Sequence, residues 1–275
     1  MKKQYSLAYL TVRGCEPAEM AYIAARTGYD YISLRLIPMG IPGEKSYLPE
    51  DRAMVSRAQA AIKETGIKVL DVELARILDD FDPRSYLPAF EVAAELGAKH
   101  IISSAWTTEK RNRAYIVDRF IEICDLADSL DLTVNLEFPT FSRLTNLQEA
   151  ADIVRAANRP NGGILIDSLY FHYSRIKVEE LERLPREWLN FMHICDTEEH
   201  IPSSSPDMIN VARDARLYVG EGGIDFAALL GHVPLMPYSI ELPNKERLKA
   251  YGFDGHARRC LEAARKQLDH VKTGT

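Results

Sequence analysis

Several features are missing or scarce in this sequence, and each absence excludes a class of protein. No apolar run reaches the roughly 18 residues that a membrane-spanning helix needs. The formal charge of -6 gives no basic excess, which argues against a nucleic-acid-binding protein because such proteins carry a positive face. The sequence therefore predicts a protein that binds neither a membrane nor nucleic acid.

Cysteine is sparse, and a leader segment is missing. The four cysteines, at positions 15, 124, 195 and 260, show no CxxC or other paired spacing. This pattern favours buried, reduced thiols over a disulfide framework. The first residues lead into strand-like sequence without the apolar region of a signal peptide. We therefore expect a cytoplasmic protein.

A glycine-rich phosphate-binding turn is also absent after the first strand-like segment. The Gly220-Glu-Gly-Gly223 segment lacks the GxGxxG spacing and lies late in the chain. An open doubly wound sheet is therefore the second choice for the fold.

The clearest feature present is a repeated boundary between a helical pattern and a strand. Thr27-Gly28, Thr65-Gly66 and Leu96-Gly97 each precede an apolar run, and Leu130-Asp131 repeats the form with Asp in place of Gly. A glycine just past a helix closes its last turn in the left-handed conformation without a steric penalty. The steps between these boundaries are 38, 31 and 34 residues, which is the length of a strand-helix unit.

Eight short apolar segments separated by amphipathic helices predict a closed parallel barrel. The predicted strands are 5–11, 30–36, 68–73, 99–104, 132–137, 163–167, 189–194 and 237–241. Such alternation favours a (β/α)8 TIM barrel that forms a single domain over residues 1–275. Residues 145–148 have the form of a capping box that begins one of the helices.

Two connections are longer than a plain barrel requires. Residues 38–50 follow the second predicted strand and residues 197–223 follow the seventh, and both are rich in Pro, Gly and Ser. They are interpreted as lids or substrate walls, or alternatively as surface loops without a function.

Four consecutive predicted strands end on side chains that can bind a metal. These side chains are Glu137, Asp167, His193 and Glu241. Singly, each has an ordinary explanation, such as a helix cap, a surface ion pair or a hydrogen-bonded core histidine. A barrel brings the carboxyl ends of its strands to one face, where four such groups would repel or stay unpaired without a cation. Together they predict a site for a divalent cation.

The segments around these residues resemble the xylose isomerase-like TIM barrels. This group comprises sugar phosphate isomerases and epimerases, and it includes inosose dehydratases and relatives of endonuclease IV. The segments that carry the resemblance are Asn135-Leu-Glu-Phe138, Ile164-Leu-Ile-Asp-Ser168, Met192-His-Ile-Cys-Asp196, Arg216-Leu-Tyr-Val-Gly-Glu-Gly222 and Ser239-Ile-Glu241. Their order and placement extend the resemblance over nearly the whole chain.

The resemblance implies one divalent metal ion, Mn, Mg, Co or Zn, held by the four strand-end residues. It also implies that Arg216 holds a substrate oxygen. A histidine usually lies three residues after the sixth-strand Asp in sugar epimerases of this group. Here that position is Tyr170, and the candidate substrate-binding histidine is His172, five residues on. Glu221, between glycines, is interpreted as a turn residue.

Two further residues are candidates for contact with the substrate. Glu73 ends the third predicted strand and could face the pocket, although an ion pair with Arg35 explains both residues equally well. Trp106 follows the fourth strand and could pack on a sugar ring or only on the rim of the barrel.

The chemistry expected of such a site is proton transfer next to a carbonyl group. A metal stabilises the enediolate charge, while Glu137 and Glu241 move protons to and from the adjacent carbon. Isomerisation, epimerisation and loss of water from an inosose or dehydroshikimate-like cyclic ketone all follow from this chemistry. A barrel that binds a sugar without catalysis is a further alternative, and an endonuclease is disfavoured by the acidic charge and the scarcity of strand-end histidines.

The expected partner is therefore a small carbohydrate-like molecule. The oligomeric state is open, because the resemblance implies a homodimer formed through barrel loops while the sequence shows no exposed apolar stripe.

Overall fold

The computed structural model describes residues 2–40, 44–108 and 112–274 of the chain. Within them, parallel strands alternate with helices along most of the sequence. The strands are β1 Tyr5–Ala8, β2 Tyr31–Arg35, β3 Lys68–Ile77, β4 His100–Ala105, β5 Thr133–Glu137, β6 Gly162–Ile164, β7 Ile166–Asp167, β8 Met192–Ile194 and β9 Tyr238–Ile240. The helices are α1 Pro17–Thr27, α2 Arg52–Thr65, α3 Leu87–Glu95, α4 Arg113–Asp128, α5 Leu147–Ala157, α6 Ser168–Ser174, α7 Ser205–Asp214, α8 Phe226–Gly231 and α9 Lys245–Leu268.

The strands form a nearly closed barrel, which confirms the predicted fold. The order across the sheet is β6-β5-β4-β3-β2-β1-β9-β8-β7, and every strand pair among the described residues is parallel. The two end strands, β6 and β7, are consecutive in the chain and separated only by Leu165. The predicted strand 163–167 is thus divided at this residue, and its first part pairs with β5 while its second part pairs with β8.

The predicted boundaries after the helices are confirmed. Gly28 and Gly66 follow α1 and α2 with φ angles of 97° and 71°, and each donates its N–H back into the last turn of its helix. Asp131 adopts φ of 56° at the fourth boundary. These residues end each helix so that the next segment can enter the barrel as a strand.

Several predicted boundaries differ from the structure. The third strand runs to Ile77 rather than to residue 73, and the predicted strand 189–194 begins only at Met192. The first strand ends at Ala8 rather than at residue 11, because residues Tyr9–Val12 form a 3-10 helix. The cap of α5 is Asn146 rather than Thr145, since the Asn146 side chain accepts the N–H of Glu149. The Glu149 carboxylate returns to the Thr145 N–H at 2.7 Å, so the reciprocal pattern is present one residue later than expected.

One of the two long connections contains a helix. The segment 197–223 contains α7, which begins after the capping side chain of Ser204. In the segment 38–50, residues 41–43 lie outside the described residues, while Met39 and Glu44 lie on the wall of a cavity above the barrel. In the part of the chain that the structure describes, no helix is both long and apolar enough to cross a membrane.

The apolar core has two parts. The larger part lies between the strands and the surrounding helices, and it includes all four cysteines, which are buried and free. The smaller part lies in a separate cluster that fills the barrel, with its members Leu70, Leu74, Ile102, Leu165 and Phe191. Side-chain packing therefore fills part of the barrel below its carboxyl ends, where Ser6, Ser33, Ser239 and Asp71 also form a buried polar network.

Candidate metal centre and active-site cavity

The structure brings Glu137, Asp167, His193 and Glu241 together at the carboxyl ends of the strands. One ligand atom from each residue lies within 4.8 Å of those of the other three, and all four side chains are buried. Glu137 and Asp167 are the last residues of β5 and β7, while Glu241 follows β9 directly. We refer to these four residues as the ligand cluster.

The distances within the ligand cluster fit a shared cation better than direct hydrogen bonds. The Nδ1 atom of His193 lies 3.5 Å from Glu241 Oε2, 3.7 Å from Glu137 Oε1 and 4.0 Å from Asp167 Oδ2. Among the described residues, neither ring nitrogen of His193 has a hydrogen-bond partner, although the side chain is buried. Ligands about 2.1 Å from one metal are separated by roughly 3 to 3.5 Å, slightly less than is observed here. The orphaned imidazole therefore has the surroundings of a metal ligand.

The buried charges of the ligand cluster shift one another's pKa values. Burial raises the pKa of Glu137 well above its usual value, and Glu241 and Asp167 raise it further. Burial alone would lower the pKa of His193, but the carboxylates, led by Glu241, raise it to about 10. Burial would raise the pKa of Glu241, yet His193 and Arg216 outweigh it and lower that pKa. Three carboxylates and Arg216 sum to -2, which a divalent cation neutralises when the imidazole is neutral.

Asp167 combines a structural role with its place in the ligand cluster. Its Oδ1 atom accepts the N–H of Leu169 at 2.7 Å and so caps α6. Its Oδ2 atom faces His193 and accepts from Nη1 of Arg216 at 2.8 Å. The helix cap fixes the rotamer that turns the second oxygen toward the cluster.

Arg216 lies behind the ligand cluster and fixes two of its members. Its Nη1 and Nη2 atoms lie 2.8 Å from Asp167 Oδ2 and Glu241 Oε2 respectively, and its Nε donates to the carbonyl of Ala212 at 2.9 Å. The side chain is 1% exposed, and it is not among the residues that line the cavity. A direct contact between Arg216 and the substrate stays a prediction, whereas its contact with the ligands is part of the structure.

A cavity of about 330 Å³ lies over the ligand cluster. Glu137, His193 and Glu241 form its floor, and Glu73 and Trp106 contribute to its walls. This volume lies in the range of pockets that hold small molecules. Both wall residues thus occupy the positions predicted for contact with a substrate, although the contact itself stays a prediction.

Trp106 and Phe141, which line one wall of the cavity, are held in orientation by their neighbours. Trp106 donates from Nε1 to Ser104 Oγ at 2.7 Å. Its ring centroid lies 5.9 Å from that of Phe141, which in turn packs edge-on against Tyr170 at 5.7 Å. The arrangement presents a rigid apolar surface of the kind that packs against the C–H face of a sugar ring.

Glu73 lies in an ion-pair network that the sequence revealed only in part. Arg35 pairs through Nη2 with Glu73 Oε2 at 3.1 Å. This ion pair is one of the two roles that the sequence analysis gave to Glu73. Arg35 also reaches Glu44 from Nη1 at 3.5 Å, and Glu44 accepts the backbone N–H groups of Met39 and Gly40. Glu44 lies in an irregular connection without periodicity, so no pattern in the sequence pointed to it.

His172 is not part of the cavity wall. It lies on α6, and its Nε2 atom is 3.4 Å from the carbonyl oxygen of Glu199. Because α6 directs this residue toward the 197–223 segment, its predicted contact with the substrate has no counterpart in the cavity lining and stays a prediction.

A buried carboxyl group that the sequence analysis missed lies on β3, two residues before Glu73. Asp71 is fully buried and accepts a hydrogen bond from Ser33, while its Oδ1 atom has no partner among the described residues. Burial is the largest influence on its pKa and raises it to about 7. The two-residue spacing puts Asp71 and Glu73 on the same face of the strand, and this signal was visible in the sequence.

A second carboxylate that was missed organises the turn before α8. Asp196 accepts the backbone N–H groups of Gly220 and Gly222 through Oδ2, and that of Thr197 through Oδ1 at 2.9 Å. A Cβ atom at Gly222 would lie 1.9 Å from the Thr197 carbonyl oxygen, so this position requires glycine. Glu221 points outward and pairs with Arg247, in agreement with its interpretation as a turn residue.

Comparison with known proteins identifies the family. The family model of the xylose isomerase-like TIM barrel matches residues 21–268. The chain belongs to this family. A structure of the IOLI protein with a bound zinc atom superposes on this xylose isomerase-like barrel with a TM-score of 0.82 at 21% identity, covering 99% of each chain. A D-allulose 3-epimerase from a Methylomonas species, in complex with D-allulose, gives a TM-score of 0.69 at 18% identity over 97% of each chain.

Curated relatives of this xylose isomerase-like barrel include isomerases and a dehydratase. An inosose isomerase from Bacillus velezensis is 25% identical over 82% of this chain and 83% of the relative. A 3-dehydroshikimate dehydratase from Pseudomonas aeruginosa is 26% identical over 68% of this chain, but the match spans only 30% of that protein. The ligand cluster of this chain is buried and has the residue types that bind a divalent metal.

Proposed function

We propose that this protein is a metal-dependent isomerase or epimerase of a small polyhydroxy carbonyl compound. The observation that carries the proposal is the ligand cluster at the floor of a walled cavity of about 330 Å³. The relatives support the proposal, because they include inosose isomerases. In addition, a D-allulose 3-epimerase shares the fold.

In this proposal Glu137, Asp167, His193 and Glu241 hold the metal ion. The bound cation would supply Lewis-acid stabilisation of negative charge on substrate oxygens. Arg216 keeps Asp167 and Glu241 in place through its two 2.8 Å contacts. The donor set of three carboxylates and one imidazole suits Mn, Mg, Co or Zn.

Proton transfer is assigned to Glu137 and Glu241. Both carboxylates border the cavity, so both reach a substrate carbon placed above the cluster. Their environments differ, because burial raises the pKa of Glu137 while His193 and Arg216 lower that of Glu241. Trp106 and Phe141 line the same cavity beside the two carboxylates.

The alternative reaction is dehydration of a cyclic ketone. The match to a 3-dehydroshikimate dehydratase supports it, since the same proton abstraction followed by loss of a β-hydroxyl makes a lyase. A change in product mass equal to one water molecule would distinguish the lyase from an isomerase.

The first test combines metal analysis with solvent exchange in the native protein and a Glu241→Gln variant. We expect about one metal ion per native chain, and deuterium incorporated from D2O next to the carbonyl of an inosose, D-allulose or 3-dehydroshikimate. The variant should lose at least tenfold in metal affinity or turnover, because it lacks one anionic ligand. Elemental analysis and proton NMR provide the two readouts.

Glu221→Gln is the matched control for this test. It removes an equally charged side chain from the same end of the barrel, but from an outward-facing turn. Full occupancy and unchanged turnover in the Glu241 variant would reject the metal centre, and binding without exchange would favour the sugar-binding alternative.

A further inference from the structure

Four cationic side chains line the cavity above the ligand cluster. They are Arg13, Arg35, Lys45 and Arg213. The chain as a whole carries a formal charge of -6, so four cationic side chains in one cavity contrast with the negative charge of the whole protein. The lining also carries four carboxylates, Glu44, Glu73, Glu137 and Glu241, so the charge offered to a ligand depends on which cations are already paired.

Two of the four cations are neutralised by carboxylates. Arg35 pairs with Glu73 and Glu44, which are the acidic residues of the same walls. Arg13 pairs through Nη2 with Asp214 at 2.7 Å, and its Nη1 donates to the Arg213 carbonyl. These two guanidinium groups therefore have protein partners and serve to hold the walls.

The other two cations have no carboxylate partner within the described residues. Arg213 is partly buried on the last turn of α7, and its guanidinium makes no hydrogen bond or ion pair there. Lys45 is exposed, and its ammonium group lies 5.2 Å from the centre of the Tyr47 ring. A guanidinium that is partly removed from water without an anion is costly unless a ligand pairs with it.

The floor of the cavity does not supply the missing negative charge. Three carboxylates and Arg216 sum to -2, and a divalent cation brings this sum to zero with His193 neutral. With the metal bound, Arg213 and Lys45 contribute +2 and the group of Arg35 with Glu73 and Glu44 contributes -1, so the cavity keeps a net charge of +1, which one carboxylate balances.

We propose that the substrate carries a carboxylate at the end remote from the metal, and that Arg213 binds it with support from Lys45. The inference rests on the proposed function and specifies its substrate class as a sugar acid or a related hydroxylated keto acid. One free guanidinium matches a carboxylate through two parallel hydrogen bonds. The Glu44 and Glu73 side chains in the same walls oppose the greater charge of a phosphate.

The test compares three sugars that differ only at carbon 6, namely D-glucose, D-glucuronate and D-glucose 6-phosphate, together with the corresponding galactose series. Binding to the manganese-loaded protein is measured by calorimetric titration. We expect at least one uronate to bind ten times more tightly than its neutral parent and more tightly than its phosphate. Arg213→Gln should abolish that preference, and Lys45→Gln should reduce it.

Arg186→Gln is the matched control, because it removes the same charge from an exposed residue that precedes β8, at the opposite end of the barrel. A preference that survives in Arg213→Gln, a phosphate that binds best, or no uronate preference in either series would each overturn the carboxylate site. Metal content is measured separately on every sample. Loss of metal binding would reject the proposed function, whereas full metal loading without uronate preference would reject only this inference.

Discussion

At the scale of one residue, Asp167 has two expected roles, helix cap and metal ligand, and these roles do not exclude each other. Taken alone, an Asp after a strand is usually the cap of the next helix, and Asp167 does cap α6 through Oδ1. Its Oδ2 atom belongs to the ligand cluster at the same time. The residue type allowed both roles, and the positions of β8 and Arg216 show that one side chain has an oxygen placed for each.

The substitution Asp71→Asn is expected to remove a pH dependence of folding stability. Burial raises the folded pKa of Asp71 from 3.8 to about 7, so the folded state holds its proton more tightly than the unfolded state. The contribution of Asp71 to folding stability is then fully present below pH 4 and is lost as the pH rises through 7. This loss is on the order of 3 kcal/mol between pH 5 and pH 8.

This prediction is checked by urea unfolding of the metal-free native and variant proteins at both pH values. The native protein should lose more stability than the variant on going to pH 8, because only the native residue must ionise in the interior. Parallel pH profiles for the two proteins would show that Asp71 does not titrate in this range.

At the scale of elements, short strands and their following turns position the site. β7, β8 and β9 contain only two or three residues each, yet they carry three of the four metal-competent side chains at or next to their ends. The turn that follows the eighth strand segment is fixed by Asp196, which holds the glycine-rich segment through its backbone N–H groups. Arg216 lies four residues before Gly220 in the chain, so this turn is also connected to the ligand cluster.

Gly222→Ala is expected to destabilise the protein by roughly 1–3 kcal/mol, since an added Cβ meets backbone that cannot move aside freely. Gly231→Ala is the matched control, because nothing lies within 4 Å of the point where its Cβ atom would be and the change should stay within about 0.5 kcal/mol. Urea unfolding of both variants measures the difference. Equal stabilities would show that the turn relaxes around the new methyl group.

At the scale of the whole molecule, the proposed metal binding is expected to be linked to folding. The ligands come from four strands distributed along the chain, so the unfolded protein offers no comparable site. A ligand that binds only the folded state at 100 times its Kd stabilises that state by about 2.7 kcal/mol. Chelation is therefore expected to lower the Tm by roughly 5–10 °C.

Scanning calorimetry with manganese and with EDTA measures this shift. A Glu137→Gln variant should show a smaller difference between the two conditions, because one ligand is weakened. An identical Tm for the native protein with and without metal would contradict a structural link between the site and the fold.

The single domain over 1–275, the cytoplasmic location and the homodimer remain predictions.

Local patterns in the sequence were sufficient to predict the barrel and the four strand-end ligands. Apolar periodicity and helix-ending residues such as Gly28 and Gly66 act over a few neighbours, so their effects can be read without knowing the fold. The carboxyl ends of parallel strands also share one face, which made the convergence of Glu137, Asp167, His193 and Glu241 predictable.

The surroundings of those ligands, in contrast, emerged only from the packing of the folded chain. Arg216 lies 49 residues from Asp167 in the chain and yet bonds to it, and Arg35 reaches Glu44 within an irregular segment. Neither pairing leaves a local pattern, because each depends on how separate loops pack over the barrel. The charge left unpaired at Arg213 became visible for the same reason, since a side chain lacks a partner only with respect to everything packed around it.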